Sequence, residues 1–156
     1  HNDQTAARAA RAGAVAEALA HDYREAMVGS VQQVLFEQPE GQWFTEMVRW
    51  AVSKKIMAGN GDGTFGPNSP ITREQLAAVL YRYAAYKKYD VSAKGNLSSF
   101  TDASKISGWA NEAMQWAYGT KLMQGNGDGT INPTGNTKRC EFASMIMKFN
   151  ENIAAG

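Results

Sequence analysis

Gly59-Asn60-Gly61-Asp62-Gly63-Thr64 returns unchanged as Gly125-Asn126-Gly127-Asp128-Gly129-Thr130, an offset of 66 residues. The flanks return at the same offset. Trp43 maps on Trp109, Glu46 on Glu112, Trp50-Ala51 on Trp116-Ala117, Lys55 on Lys121, Met57 on Met123, Pro67 on Pro133, Arg73 on Arg139 and Ala77 on Ala143, with no gap anywhere between Trp43 and Ala77. Self-similarity at a fixed period means one supersecondary unit used twice.

The unit has a readable plan. Trp43, Met47, Trp50, Ala51 and Lys54 share an i, i+3/i+4, i+7 face, which predicts an amphipathic helix over 43–57 with Gly59 as its left-handed C-terminal cap. The loop 59–70 is dense in Gly, Asn, Asp and Pro, the residues that tolerate positive φ or fix φ. Thr72-Arg73-Glu74-Gln75 reads as a capping box, in which the Thr72 hydroxyl takes a backbone N–H and Gln75 reaches back to the cap. Leu76, Val79, Leu80, Tyr83 and Tyr86 then form the stripe of a second helix, roughly 73–87. The second copy repeats the plan, with Trp109, Ala113, Trp116 and Ala117 before its loop and Phe142, Met145, Ile146 and Phe149 after it.

An aromatic-led helix, then G-x-G-D-G-T-[FI]-x-P, then a T-R-E-Q-L-A-like helix start resembles the S-layer homology (SLH) module of bacterial surface proteins. Ahead of the second copy, Phe100-Thr101-Asp102 matches the F-x-D opening of that module. The resemblance covers about 43–89 and 100–153 and implies non-covalent anchoring to a secondary cell-wall glycan, often pyruvylated. It further implies grooves between modules arranged as a pseudo-threefold bundle. Two departures stand out. Val34-Leu35-Phe36 occupies the place of a first F-x-D. Thr137-Lys138-Arg139-Cys140-Glu141 puts the hydroxyl one residue early. The family commonly uses three modules, and two are visible here.

Residues 1–42 read differently. Ala-rich 6–27, with Val15, Leu19, Tyr23 and Ala26 on one face, predicts a helix ended by Gly29. Val31, Val34, Leu35 and Phe36 predict a short strand before Pro39-Glu40-Gly41. The run from His21 to Glu37 is similar to the late segment of radical-SAM tRNA methylthiotransferases, which leads into the RNA-binding TRAM barrel in that family. No three-cysteine cluster accompanies it, so enzyme activity is not expected.

Composition narrows the classes. A net charge of +1 with no Lys/Arg block argues against a dedicated nucleic-acid binder. A single cysteine, Cys140, permits no internal disulfide. No apolar run is long enough to span a bilayer, and no signal peptide opens the chain at His1. Asp62 and Asp128 among their glycines look like the centre of a calcium loop, but calcium needs oxygen ligands at both loop ends. Those ends hold Ala58 and Ser69 in the first copy and Gln124 and Asn136 in the second. Both aspartates therefore read as structural turns, with Gly59, Gly63, Gly125 and Gly129 as the glycines of those turns, and no metal or cofactor is expected.

Several side chains carry two readings. Arg73 and Arg139 sit in the first turn of a helix, against a dipole that favours acidic residues. That is sensible if an anion is held between them; the other reading is a solvated arginine paired with a neighbouring carboxylate. Mid-helix Trp50 and Trp116 read as core, whereas Trp43 and Trp109 at helix starts are as well placed to line a groove as to fill a core. Tyr83 and Tyr86 read as core, with Tyr81 and Tyr89 at its edge. Cys140 lies near a helix start without a nearby His and reads as inert.

The expectation is an all-α chain in three parts: an N-terminal helix plus short strand over 1–42, and helix–loop–helix modules over 43–89 and 90–156 packed as a pseudo-symmetric bundle. Its expected role is a non-catalytic anchor of a bacterial surface protein on secondary cell-wall polysaccharide, outside the cell, self-associating to complete a three-module bundle. Arg73 and Arg139 would hold a carboxylate, Asp102 would accept sugar hydroxyls, and Trp43 and Trp109 would provide apolar floors. As a first-turn residue, Arg73 is expected to be dispensable for folding. The alternative is an RNA-associated role through the methylthiotransferase-like segment.

Overall fold

The computed structural model describes residues 41–59 and 65–155. Contacts group Trp43–Ala58 with the residues from Gly66 onward into one compact unit, and that unit is described here. The expected helix over 6–27, the extended stretch 31–36, the methylthiotransferase-like segment and the turn residues Asp62 and Gly63 lie outside the described residues.

Among the described residues the fold is all-α, with four α-helices and no strand: α1 Thr45–Ser53, α2 Arg73–Tyr86, α3 Asn111–Gly119 and α4 Arg139–Phe149. Each repeat thus supplies helix, loop, helix. In the second repeat, 3-10 turns at Ala103–Lys105 and Gly108–Ala110 lead into α3, and α4 runs on into a π turn at Asn150–Ala154.

The expected helix over 43–57 is shorter than its apolar pattern. It ends at Ser53, and the left-handed residue is Lys55 (φ 57°), not Gly59. The chain closes there by Ile56 N–H donating to the Ala51 carbonyl, which satisfies a carbonyl the helix end leaves open. Lys121, its partner in the repeat, is also left-handed (φ 62°) and follows α3.

The start of α2 conforms to its sequence signature. Thr72 Oγ1 accepts from Gln75 N–H at 3.2 Å, and Gln75 Oε1 accepts from Thr72 N–H at 2.9 Å. The sequence did not show where the next donors go. Arg73 N–H donates to Gly135 O and Glu74 N–H to Pro133 O, both at 2.9 Å, while Thr137 N–H donates back to Ile71 O at 3.0 Å. Thr72 and Asn136 form an isolated antiparallel bridge. The first repeat's second helix therefore begins inside the second repeat's loop.

The side chains tighten the same joint. Arg73 is only 5% exposed. It donates through Nε to Ile131 O (2.9 Å), through one terminal nitrogen to Glu141 Oε1 (2.9 Å) and through the other to Gln124 O (2.7 Å). Glu74 is buried too, and accepts from Ser107 N–H and Ser107 Oγ at 2.9 and 2.8 Å. Behind these charges α2 packs on α3. Leu76, Leu80 and Ala84 share one core with Met114, Trp116 and Ala117, and each large side chain fully buried there is worth about 1.5–3 kcal/mol. Tyr81 sets its ring edge-on to Trp116 at 5.5 Å. Burial first, and then the neighbouring Glu112 carboxylate, push the Tyr81 hydroxyl above the usual phenol range.

Three packing expectations change. Arg73 is part of the core joint instead of a dispensable surface residue. Trp50 is 47% exposed, although Trp116 at the matching position is fully buried, because α3 has a second helix lying over it. Tyr86 is exposed and meets Trp50 edge-on at 5.9 Å.

The start of α4 is the poorer copy. Glu141 Oε2 accepts from Lys138 N–H at 2.8 Å, but Lys138 has no side-chain acceptor to return. Thr137, one residue early, leaves its hydroxyl oxygen buried without a partner.

Two substitutions test this account. Removing one member of a buried ion pair leaves the other charge uncompensated, so Arg73→Ala is expected to destabilise the protein by about 3–5 kcal/mol in urea unfolding. Lys138→Thr supplies the missing cap and is expected to stabilise by about 1 kcal/mol. It should raise the melting temperature by a few degrees, at about 2–4 °C per kcal/mol for a chain of this size.

Candidate surface-binding site

The five residues singled out for a ligand separate into two groups. Arg73 and Asp102 meet on one peptide unit from opposite ends. Asp102 Oδ1 accepts Ile131 N–H at 2.9 Å and Oδ2 accepts Asn132 N–H at 2.8 Å, while Arg73 takes the Ile131 carbonyl. Ile131 between them is fully buried. Both carboxylate oxygens of Asp102 are engaged and the residue is buried, so the expected acceptor of sugar hydroxyls is a brace for the loop. The same holds for Arg73, whose three guanidinium nitrogens all face protein acceptors.

Trp43, Trp109 and Arg139 form the other group. Trp43, just before α1, is 81% exposed, and among the described residues its ring meets Phe44 edge-on at 5.6 Å. Trp109, in the 3-10 turn that leads to α3, is 55% exposed. Arg139 opens α4, is exposed, and has no hydrogen bond or ion pair among the described residues. The same sequence position is thus a buried clamp in one repeat and an exposed cation in the other.

The turn itself is described in the second repeat. Gly127 and Gly129 hold φ of 84° and 83°, which a β-branched side chain would strain. Gly125 has a different duty. A Cβ there would stand 2.5 Å from Cε1 of Phe100, so the glycine lets the aromatic of the F-x-D opening lie against the loop backbone. Asp128 stays exposed, and its Oδ1 accepts both the N–H (2.9 Å) and the hydroxyl (2.6 Å) of Thr130. Those bonds, the hydroxyl's first, hold its carboxyl below the usual range. Thr101 N–H donates to Gly129 O at 3.0 Å and so ties the opening to the turn.

Two concavities were not anticipated. One, of about 430 Å³, lies between the linker and the start of the second repeat, and Lys94, Asn96, Ser98, Asn111 and Gln115 line it beside apolar Leu97 and Ile106. Amides and one ammonium around an apolar floor suit a hydroxyl-rich ligand. Lys94, Asn96 and Ser98 precede the repeated stretch, and Asn111 and Gln115 stand at repeat positions held by Thr45 and Arg49 in the first copy, so the shared pattern could not mark them. The other, about 580 Å³, is almost wholly apolar and runs along α1 past Met47, Trp50 and Met57. Among the described residues no three His, Cys, Asp or Glu side chains cluster, and no helix is long and apolar enough to cross a membrane.

Known proteins share this plan. The S-layer homology domain family matches residues 39–77 and 99–143. An endoglucanase of Bacillus sp. (strain KSM-635) is 36% identical over 104 residues, 67% of this chain and 11% of that protein. The surface-layer 125 kDa protein of Lysinibacillus sphaericus is 28% identical over 72% of this chain and 9% of its own length. S-layer protein EA1 of Bacillus anthracis is 30% identical over 70% of this chain and 12% of its own. The chain therefore spans about a tenth of the length of these curated relatives. No solved structure matches it.

The Asp128 turn gives a pH test. A folded-state pKa below the unfolded value, near 3.9 for Asp, contributes stability that is present at neutral pH and lost as pH falls through the folded value. Carboxylate NMR should find Asp128 titrating below the ordinary range, and Thr130→Val should move it back up. An Asp128 that titrates alike in both proteins would refute the assigned bonds.

Proposed function

This chain belongs to the S-layer homology domain family, and we propose that it is a non-catalytic anchor binding an anionic, for example pyruvylated, secondary cell-wall polysaccharide at the bacterial surface. The family match and the surface-layer relatives support a cell-wall anchoring role. A match to an endoglucanase over only 11% of its length fits an attachment module borne by proteins of unlike activity.

The observation that carries the finer reading is the paired exposure of Trp43 and Trp109. Two indoles 66 residues apart both stand open to water, whereas Trp116 in the same unit is fully buried. An exposed indole at a repeated position is well suited to stack on the apolar face of a sugar ring. Arg139 adds a fork-shaped cation with no competing partner among the described residues, suited to bidentate capture of a carboxylate. The amide-lined hollow at Asn96, Asn111 and Gln115 offers acceptors and donors for hydroxyls. Arg73 and Asp102 act from behind this surface by setting the loop at Ile131. On this reading the modules span 43–89 and 90–156, and copies associate to complete a bundle.

The test is a pull-down on purified sacculi with and without removal of the secondary polymer. Binding should require the polymer. Arg139→Ala should weaken it by roughly 1.5–3 kcal/mol, the size of a lost charge-assisted hydrogen-bond set, with the melting temperature unchanged. Trp109→Ala should weaken it as well. Equal binding to stripped sacculi would end the glycan reading.

A further inference from the structure

We propose that this chain self-associates head to tail, with α4 of one copy packing on α1 of the next as α2 packs on α3 within the chain. The proposal deepens the self-association named above and does not depend on the glycan. It rests on the repeat. The α2–α3 joint buries Leu76 and Leu80 on one side and Trp116 on the other. Shifted by 66 residues, the first side becomes Phe142 and Ile146 on α4, 46% and 42% exposed, and the second becomes the half-exposed Trp50 on α1. Around Trp50 lies the apolar groove of about 580 Å³ that Met47 also lines. One chain thus carries both halves of a joint it has already built once, each half open.

The polar part of the joint shifts with it. Arg73 reaches Gln124 O and Glu141. Their counterparts are Ala58 and Gln75, and the counterpart of Arg73 is Arg139, exposed and without a hydrogen bond or ion pair among the described residues. Arg139 of one copy would meet Gln75 of the next. Glu141 serves its own helix cap with one oxygen and Arg73 with the other. Gln75 has a single oxygen, already accepting from Thr72 N–H, and the atom left over is an amide donor. Glu74, which grips Ser107, is replaced by Cys140. The joint between copies therefore lacks the ion pair and the carboxylate grip of the joint within the chain, and is the weaker of the two. Because it joins unlike surfaces, it is heterologous and makes rings or open chains of copies.

Sedimentation velocity without glycan, from about 1 to 100 µM, tests this on the full chain. The parent should associate as concentration rises, and Gln75→Glu should tighten association about tenfold by restoring a charge-assisted bond. Ile146→Lys removes the α4 half and Met47→Lys the α1 half; both residues are exposed, and helical circular dichroism confirms folding. Ile146→Gln and Met47→Gln replace them if either lysine unfolds the chain. Each variant alone should be monomeric, and an equimolar mixture should form one dimer and nothing larger. A parent and Gln75→Glu variant that both stay monomeric would overturn the proposal, leaving these faces to a further module of the same plan. A single variant that still associates, or a mixture that stays monomeric, would overturn it equally. Sacculus binding, measured separately, stands or falls without this result.

Discussion

The α2–α3 core and the second repeat's loop both lean on the seating of the α2 N-terminus in that loop. A helix start exposes N–H groups that its own turns cannot satisfy. Here Arg73 and Glu74 pass theirs to Gly135 and Pro133, while the Thr72 hydroxyl takes that of Gln75. The loop in turn has no regular structure to hold it, and its shape is imposed at Ile131, which Asp102 grips by the N–H and Arg73 by the carbonyl. Helix start and loop are each incomplete alone. Together they leave few bare polar groups, and over that frame the Leu76, Leu80 and Trp116 core can close dry.

Burying an arginine is costly unless the site returns what water supplied. Arg73 receives two carbonyls and one carboxylate, spread over all three guanidinium nitrogens. A lysine could not span three such directions from one point charge. The joint therefore explains the residue type, and the lack of such a socket at α4 explains how the identical residue 66 positions on is released to the surface.

Element type and repeat were legible in the sequence because they are local. The helix–loop–helix plan and the Thr72–Gln75 box depend on spacing within single elements and appear in the structure as read, and the 66-residue offset rests on two local motifs being the same. The missing hydroxyl at Lys138 was legible too, and its result is the orphan Thr137 oxygen. The roles of Arg73 and Asp102 were not legible. Spacing shows which face a residue occupies on its own element, whereas their partners lie 51 to 68 and 29 to 30 residues away. Trp50 and Trp116 show the same limit: matching repeat positions, one half-exposed and one buried, decided by which helix lies across them. Of the surface set, Trp109 and Trp43 were placed at helix starts correctly, and the amide-lined hollow escaped notice because it joins linker residues to Asn111 and Gln115, helix positions that differ between the two copies.

The long reach of Arg73 also bears on how the chain is made. Its acceptors at Gln124, Ile131 and Glu141 are synthesised well after it. Until Gln124 has emerged, the Arg73 guanidinium has none of its protein acceptors, and until Pro133 and Gly135 have emerged, the Glu74 and Arg73 N–H groups have none of theirs. Closing so wide a loop is entropically slow. The first repeat consequently waits for the second, and a nascent chain stays open over more than half its described length. Folding order thus runs against synthesis order: the first repeat's second helix settles only when the second repeat's loop is there to receive it.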